Sequence, residues 1–367
     1  MNSRLVEYPW RGLDRFREIA SSHPEGLIDL SIGSPIDPTP QPIRDSLIQA
    51  SNSPGYPRTA GTAELKSAVV DWFARRRGIP NLDSQQVLPT VGSKEFISLL
   101  PLFLGLGERD AVVQPSVAYT AYGVGAKLVG CELVSSDDPS EWPGNTKLIW
   151  INSPSNPTGS VLTANHLRAA VERARGLGAV VVNDECYAEL AWEEPWRSDG
   201  VPSILDPSVI QGDFRSVLAI YSLSKVANLA GYRLGLVAGD PNLISDLLNT
   251  RMHAGLMMPG PMQSAMTAAL KIDDYLPAVL ASYGERRELL SQAFVRAGFQ
   301  VESSEAGLYL WLRSPYSCWE AIARLAAVGV LVAPGEFYSP AAGNHLRVAL
   351  TVSTEQAQAV GARLSVF

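Results

Sequence analysis

Short apolar runs alternate along the chain with longer segments whose apolar positions recur at helical spacing. The clearest strand is AVVVN at residues 179–183, because a continuous β-branched run is typical of a strand buried on both faces. The clearest helix spans residues 164–177, with Thr163 as its predicted N-cap. Repeated alternation of strand and helix predicts a mainly parallel sheet covered by helices on both faces. The other strands predicted for this sheet lie at residues 87–91, 111–114, 148–152, 217–221 and 234–238.

The pattern changes in the last third of the chain. A long helical segment is predicted for residues 262–297, and shorter strands mixed with a helix follow it. This mixture is typical of a second, smaller α+β domain. The N-terminal residues are rich in proline and are expected to join that domain. We therefore predict a large domain at residues 46–258 and a smaller domain formed by residues 1–45 and 259–367.

Composition and charge exclude several classes of protein. Hydrophobic residues make up 46% and charged residues 18% of the 367 positions, which is typical of a globular protein. The net charge of -7 leaves no basic excess to neutralise phosphates, so no nucleic-acid partner is expected. No apolar run is long enough to span a bilayer, and the N-terminus lacks the apolar core of a signal peptide. We expect a cytoplasmic protein that does not bind membranes.

The cysteines and histidines are too dispersed for a metal or disulfide site. Cys131, Cys186 and Cys318 form no CxxC pair, which argues against a disulfide framework or a cysteine-type zinc site. The four histidines form no HxxxH or HExxH pair. No metal is therefore expected.

The most informative motif is SLSK at residues 222–225, followed by GYRLG at residues 231–235. Both lie just after a predicted strand, and ligands in α/β sheets bind at the carboxyl ends of strands. Lys225 there is suited to form a Schiff base with a carbonyl, while Ser222 and Arg233 are suited to hold an anion. Taken alone, the motif is better explained by a solvated lysine and a surface arginine. SxxK also occurs in serine acyl-transferases, but their SDN and KTG partners are missing.

Three further motifs also follow predicted strands. NDECY at residues 183–187 places Asp184 where a carboxylate must be paired or solvated. SPSNPTG at residues 153–159 is either a simple turn or a support for the amide of Asn156. GSKE at residues 92–95 is either a strand–helix turn or a helix N-terminus that attracts phosphate. None of them is a Walker loop or a dinucleotide fingerprint, so nicotinamide chemistry is unsupported.

Together these motifs resemble the class I and II aminotransferases of fold type I, which depend on pyridoxal 5'-phosphate. Their order and separation match that family over nearly the whole chain. The resemblance implies an α/β fold, with a mainly parallel seven-stranded sheet between helices in the large domain and a smaller α+β domain. The matching positions are Ser93, Lys94, Tyr119, Asn156, Asp184, Tyr187, Lys225, Arg233 and Arg347.

The resemblance also implies a role for each cofactor residue. Lys225 is expected to bind the cofactor covalently and then to move the proton at the substrate Cα. Asp184 is expected to keep the pyridine nitrogen protonated, which makes the ring an electron sink. Asn156 and Tyr187 are expected to bond the phenolic oxygen of the ring, on which Tyr119 stacks. The groups expected to hold the phosphate are Ser222, Arg233 and the backbone amides of Ser93 and Lys94.

Substrate binding and assembly follow from the same resemblance. Arg347 is expected to grip the substrate α-carboxylate, beside Gly33 and Asn156. Tyr56 is expected to reach the phosphate of a neighbouring subunit, which implies a homodimer with shared active sites. Taken without the resemblance, each of these residues suits an ordinary strand, turn or surface loop.

Within the family, four segments look most like the actinobacterial N-succinyldiaminopimelate aminotransferases of lysine biosynthesis. They are VGSKE at residues 91–95, NDECY, SLSK and AGLYLW at residues 306–311. The implied reaction is a ping-pong transfer of an amino group from glutamate, which becomes 2-oxoglutarate, to N-succinyl-2-amino-6-oxopimelate. Both substrates carry several carboxylates, so a cationic or polar contact beyond Arg347 is needed. Lys94 adds a positive charge where many relatives have a neutral residue.

Three other functions are weighed against this one. An aminotransferase for aspartate, an aromatic amino acid or alanine would share every cofactor residue. So would a pyridoxal-phosphate lyase on the same fold. A ligand-sensing regulator would place a basic DNA-binding domain before the aminotransferase pattern, which here begins within the first thirty residues. The regulator is therefore the least favoured of the three.

Overall fold

The computed structural model describes residues 8–365. The N-terminal seven residues of the predicted smaller domain lie outside the described residues. The strands are β1 (Ile28–Asp29), β2 (Val87–Val91), β3 (Ala111–Gln114), β4 (Glu132–Ser135), β5 (Thr146–Asn152), β6 (Val180–Asp184), β7 (Val217–Ser222), β8 (Leu234–Gly239), β9 (Gln300–Ser303), β10 (Tyr309–Arg313), β11 (Val330–Leu331), β12 (Ala333–Pro334) and β13 (His345–Ala349). The helices are α1 (Asp14–Ser21), α2 (Gln41–Gln49), α3 (Ala63–Arg77), α4 (Ser93–Phe103), α5 (Ala121–Val129), α6 (Ala164–Leu177), α7 (Trp196–Asp199), α8 (Pro207–Ile210), α9 (Leu223–Val226), α10 (Pro241–His253), α11 (Gly260–Lys271), α12 (Leu276–Arg296), α13 (Cys318–Ala327) and α14 (Thr354–Leu364).

A seven-stranded sheet forms the centre of the molecule, in the order β2-β8-β7-β6-β5-β3-β4. Every neighbouring pair is parallel except those made by β8, which runs antiparallel to β2 and to β7. The prediction of a mainly parallel α/β sheet is confirmed. The reversal of β8 follows from the short connection after β7, since a parallel crossover needs a longer segment. That short connection carries Lys225.

Strand β6 shows why this sheet is buried on both faces. Val181, Val182 and Asn183 are each fully buried, as the β-branched run predicts. The predicted helix over residues 164–177 matches α6, and the Thr163 hydroxyl accepts a hydrogen bond from the backbone N–H of His166. Buried strands of this kind leave only their ends available for chemistry.

A second, antiparallel sheet lies in the C-terminal part of the chain, in the order β12-β13-β10-β9. Within it, Arg347 of β13 pairs with Trp311 of β10. Strand β1 pairs in parallel with β11, so the N-terminal segment contacts the C-terminal part of the chain. The prediction of a smaller α+β unit is confirmed, whereas the domain bounds at residues 46–258 and 259–367 stay predictions.

The prediction of one continuous helix at residues 262–297 was wrong, because the helix is interrupted. The structure divides it into α11, which ends at Lys271, and α12, which begins at Leu276. Pro277 lies in the first turn of α12, where its missing N–H costs no helical hydrogen bond. The proline therefore marks a new helix start within an otherwise helical pattern. No helix in the described part of the chain is long and apolar enough to cross a membrane.

Candidate active site

A cavity of about 600 Å³ opens at the carboxyl ends of the central strands. Side chains that follow β2, β3, β5, β6 and β7 line it from the large sheet, and β10 and β13 line it from the smaller sheet. Eleven of the twelve predicted site residues line this cavity. They are Gly33, Ser93, Lys94, Tyr119, Asn156, Asp184, Tyr187, Ser222, Lys225, Arg233 and Arg347.

Tyr56 is the exception among the predicted site residues. Its side chain is 97% exposed and does not line the cavity of its own chain. A side chain with this exposure is accessible to another molecule. Its predicted reach into a neighbouring subunit stays a prediction.

Lys225 enters the cavity from the short helix that follows β7. The Ser222 side chain caps this helix by accepting a hydrogen bond from the backbone N–H of Ser224. Lys225 is half-buried, and its Nζ donates to the backbone oxygen of Gly33. A neutral carbonyl oxygen leaves the amine without a counter-ion at this contact. The primary amine is therefore placed inside the cavity, where it can react with a carbonyl.

Asp184 closes the floor of the cavity at the end of β6. It is 5% exposed, and its two oxygens accept hydrogen bonds from the Tyr122 hydroxyl at 3.0 Å and from the Cys186 backbone N–H at 3.2 Å. Burial raises the pKa of the Asp184 carboxyl, and these hydrogen bonds oppose the rise. A buried carboxylate in this position would be stabilised by a cationic partner such as a protonated ring nitrogen.

The start of α4 forms the anion-binding corner of the cavity. Gly92 adopts a φ of +72°, and a side chain there would overlap the guanidinium of Arg233. Arg233 also has a positive φ, of +58°, which turns its side chain across the helix N-terminus. The first backbone N–H groups of a helix have no intrahelical partner, so they and Arg233 together suit a phosphate.

The same corner is held by a buried ion pair that the sequence motifs do not reveal. Arg251 is fully buried, and both of its terminal nitrogens contact the Glu95 carboxylate, one at 2.9 Å. Glu95 also accepts a hydrogen bond from the backbone N–H of Val91. Glu95 thus ties the end of β2 to α10, which explains the glutamate in the GSKE motif.

Arg347 reaches the cavity from β13 and is 3% exposed. Its terminal nitrogens donate to Asn156 Oδ1 at 2.9 Å and to the backbone oxygen of Ser31 at 2.6 Å. Its guanidinium carbon lies 4.2 Å from the ring centre of Tyr309 and 4.9 Å from that of Tyr338. Its Nε has no hydrogen-bond partner in the described residues. Neutral oxygens and ring faces leave this buried cation suited to an anionic ligand.

The aromatic side chains complete the cavity wall. Tyr119 follows β3 and meets Tyr122 edge-on, with ring centres 5.7 Å apart. Lys94 Nζ lies 5.7 Å from the centre of the Tyr119 ring. Burial lowers the pKa of Lys94, and the nearby cations Arg233 and Lys225 lower it further. The Tyr187 hydroxyl lies 3.2 Å from the Tyr309 hydroxyl.

These residues fit pyridoxal phosphate on chemical grounds. Lys225 supplies the amine for its aldehyde, and Asp184 supplies a buried carboxylate for its ring nitrogen. The Gly92 corner supplies N–H groups and a guanidinium for its phosphate, in a place where a side chain would collide. Tyr119 supplies a ring face. In residues 8–365, no three His, Cys, Asp or Glu side chains converge on a metal-sized site.

Sequence reasoning assigned no role to Tyr122, Tyr309 or Arg251. Tyr309 lies in a segment that resembled the family, but nothing in that segment shows what its hydroxyl contacts. Tyr122 and Arg251 lie 62 and 156 positions away from the carboxylates they contact. Such pairs come together only when the chain folds.

Comparisons with known proteins agree with this geometry. The family model "Aminotransferase class I and II" matches residues 25–364. A "probable aminotransferase" of Mycobacterium tuberculosis is 47% identical over all of this chain and 86% of its own length. The 4-dedimethylamino-4-oxo-anhydrotetracycline transaminase OxyQ of Streptomyces rimosus is 44% identical over 98% of this chain and 99% of its own. Among solved structures, a probable N-succinyldiaminopimelate aminotransferase of Thermus thermophilus has a TM-score of 0.87 and 27% identity, covering 97% of this chain and 99% of its own.

Proposed function

Since the chain belongs to the class I and II aminotransferases, a family that depends on pyridoxal phosphate, we propose that it transfers an amino group between glutamate and N-succinyl-2-amino-6-oxopimelate. This reaction belongs to lysine and diaminopimelate biosynthesis. The observation that carries the proposal is the charge of the cavity wall. Among residues 8–365, four cationic side chains line it, those of Lys94, Lys225, Arg233 and Arg347, together with one carboxylate, that of Asp184.

The four cations divide among the groups that must be bound. Arg233 is assigned to the cofactor phosphate and Lys225 to its aldehyde. Arg347 is assigned to the substrate α-carboxylate, because a guanidinium binds a carboxylate through two parallel hydrogen bonds. Lys94 is then left for a further carboxylate, which both proposed substrates possess. The similarity to the probable N-succinyldiaminopimelate aminotransferase of Thermus thermophilus supports the same substrate class.

The side chains around the cavity also suit the chemical step. Bound pyridoxal phosphate supplies an electron-withdrawing ring that makes proton removal from the substrate Cα feasible. Lys225 moves that proton, since a tethered amine beside the reacting carbon replaces a bimolecular encounter. Arg347 and Asn156 are joined by a hydrogen bond, so the carboxylate site and the ring oxygen site keep a fixed separation.

A half-reaction experiment tests the substrate. The protein is loaded with pyridoxal phosphate and mixed with single amino donors, and its visible absorbance is followed. Glutamate and N-succinyl-LL-diaminopimelate should both convert the aldehyde form to the amine form, whereas Lys225→Ala should convert with neither. Failure of the succinylated donor alongside rapid conversion by alanine or aspartate would overturn the substrate assignment. Pyruvate release without conversion would indicate a lyase.

A second candidate is an aminotransferase for an aromatic substrate. Tyr8, Trp10 and Tyr119 line the cavity and offer ring faces to such a ligand. The Streptomyces rimosus relative is named for a polycyclic substrate. The same experiment separates the two candidates, because an aromatic donor would then react faster than glutamate.

We also propose that the protein is a cytoplasmic homodimer with shared active sites. The exposure of Tyr56 supports a subunit contact near the cofactor phosphate. Three unpaired thiols, Cys131, Cys186 and Cys318, fit a reducing compartment. Mixing of subunits that carry a Tyr56 variant and a Lys225 variant tests this pairing.

A further inference from the structure

Tyr309 contacts three parts of the proposed active site at once, although no role has been assigned to it. It begins β10 and is 3% exposed. Its ring lies under the Arg347 guanidinium at 4.2 Å, and its hydroxyl lies 3.2 Å from that of Tyr187. A residue in this position can influence both the substrate site and the cofactor site.

The third contact is with Gly33. A side chain at this glycine would overlap the Tyr309 hydroxyl, so the loop can approach the tyrosine only as glycine. The backbone oxygen of Gly33 accepts the hydrogen bond from Lys225 Nζ. Tyr309 therefore sets how closely the Gly33 loop lies to the reactive amine.

Only one of the two hydroxyl groups, that of Tyr187 or that of Tyr309, can donate in the hydrogen bond between them. Each tyrosine has one O–H donor, and the pair uses one donor between them. If Tyr187 donates to Tyr309, the Tyr187 proton is engaged within the protein and cannot be donated to a ligand in the cavity. If Tyr309 donates to Tyr187, the Tyr187 proton is free to point into the cavity. The direction of this single hydrogen bond decides what Tyr187 can offer to a ligand.

We propose that Tyr309 is a positioning residue that donates its hydroxyl proton to Tyr187 and thereby directs the Tyr187 O–H toward the phenolic oxygen of the cofactor. Its ring separately supports the guanidinium plane of Arg347. This inference rests on the proposed cofactor site and adds a residue that controls it without touching the cofactor.

The proposed cofactor site favours this direction of donation, because a charged phenolic oxygen is a stronger acceptor for the Tyr187 proton than the neutral hydroxyl of Tyr309 is. The two hydroxyl oxygens lie 3.2 Å apart, which permits either direction, so a Tyr187 proton that is donated to the cofactor leaves Tyr309 as the donor within the pair. The titratable or charged groups that face Tyr309 are Tyr187, Arg347, Lys225, Asp184, Lys94, Tyr119, Tyr283 and Tyr338.

The test is a pH titration of the visible absorbance of the protein loaded with pyridoxal phosphate. A donor on the phenolic oxygen stabilises the form in which that oxygen is charged, so its loss should move the titration midpoint to higher pH. Tyr309→Phe should shift the midpoint upward by about half to one pH unit, the scale of one neutral hydrogen bond. Tyr187→Phe should shift it at least as far. The midpoint of the double variant should shift no further than that of Tyr187→Phe, because Tyr309 acts on the cofactor only through the Tyr187 hydroxyl.

Two further variants separate positioning from a general structural effect. Tyr275→Phe removes the hydroxyl of a partly buried tyrosine outside the cavity and should leave the midpoint unchanged. Tyr309→Leu removes the ring under Arg347 and should raise the KM for carboxylate substrates, whereas Tyr309→Phe should leave the KM near the wild-type value. Circular dichroism checks that each variant is folded.

Several outcomes would overturn the inference. They are an unchanged midpoint in Tyr309→Phe, an unchanged midpoint in Tyr187→Phe, or additive shifts in the double variant. Failure of the proposed function has a different signature, because glutamate and the succinylated donor would then fail to convert the aldehyde form of the wild-type protein to the amine form. A wild-type spectrum that depends on Lys225 together with an unmoved Tyr309→Phe midpoint would reject the Tyr309 role alone.

Discussion

At the residue scale, Lys94 is the cation that the proposed site leaves for a second substrate carboxylate. It lines the cavity beside the Tyr119 ring and forms no salt bridge with the described residues. Arg233 and Arg347 already have anionic groups assigned to them in the proposed site. A second substrate carboxylate would therefore find its cation at Lys94.

We expect Lys94→Gln to raise the KM for glutamate about tenfold and to leave the KM for alanine nearly unchanged. An ion pair in a partly buried site contributes roughly 1 to 2 kcal/mol, which corresponds to about a tenfold change. Steady-state kinetics with both donors measures the difference. Lys127→Gln, on the exposed side of α5, is the matched control. Equal increases in the KM for glutamate and for alanine would show that Lys94 does not bind the distal carboxylate.

Asp184 illustrates the cost of a buried functional carboxylate. Burial raises its pKa in the folded protein above the unfolded value of about 3.9. A folded group with a raised pKa binds protons more tightly than the unfolded chain. The stability of the cofactor-free protein should therefore fall as pH rises from the unfolded pKa to the folded one.

Asp184→Asn should stabilise the cofactor-free protein at pH 7, by on the order of 1 kcal/mol, because the amide has no charge to desolvate. The gain should disappear as pH falls below about 4, where Asp184 is protonated in both states. Urea unfolding at several pH values measures it, with the exposed Asp246→Asn as control. A gain of the same size at every pH would contradict the explanation.

At the scale of elements, the start of α4 is positioned by groups far away in the chain. The Glu95 carboxylate is 18% exposed and the Arg251 guanidinium is fully buried, so their ion pair is largely hidden from water. Removing one partner from such a pair leaves an uncompensated charge. The anion-binding corner therefore depends on α10 as well as on its own glycine.

Arg251→Met should lower the free energy of unfolding by about 3 kcal/mol, since Glu95 loses its buried partner. It should also weaken the binding of pyridoxal phosphate, measured by titration of the cofactor-free protein. The double variant Glu95→Gln, Arg251→Met keeps an acceptor for the Val91 N–H and should recover much of the lost stability. Purely additive losses would show that the two side chains are not coupled.

At the scale of the whole molecule, the position of Tyr56 bears on whether the active site is complete within one subunit or is shared between two. Eleven predicted residues line one cavity, and the twelfth is exposed in a loop. In a homodimer with two-fold symmetry, that loop of each subunit contacts the partner in the same way. Two differently damaged subunits can then combine to give one intact site.

Mixing Tyr56→Glu protein with Lys225→Ala protein should restore activity after subunit exchange. Each variant alone should be nearly inactive, because one repels the phosphate and the other lacks the amine. About half of the reassorted dimers are mixed and each holds one intact site, so roughly a quarter of wild-type activity is expected. Sedimentation should show a dimer throughout. No rescue in mixed dimers would place Tyr56 outside the partner's site.

Much of the fold and most of the candidate site could be predicted because their signals are local. The β-branched run of β6 and the Thr163 cap of α6 act over a few residues, and both were confirmed. The break between α11 and α12 was missed, since an apolar pattern continues across it and only Pro277 marks the new start. The reversal of β8 was also not foreseen, because strand direction depends on pairing with distant strands.

The sequence by itself determined which chemical groups follow which strands, and therefore the family and its cofactor. An amine, a carboxylate and an amide at strand ends already indicate such a site. Only the tertiary structure decided which of these groups meet and what holds them. Arg347 bonds Asn156 and Ser31 from 191 and 316 positions away, and Tyr309 joins Tyr187 across 122 positions. Such contacts arise where side chains of the smaller sheet meet loops and strand ends from distant parts of the chain, which no local pattern of residues encodes.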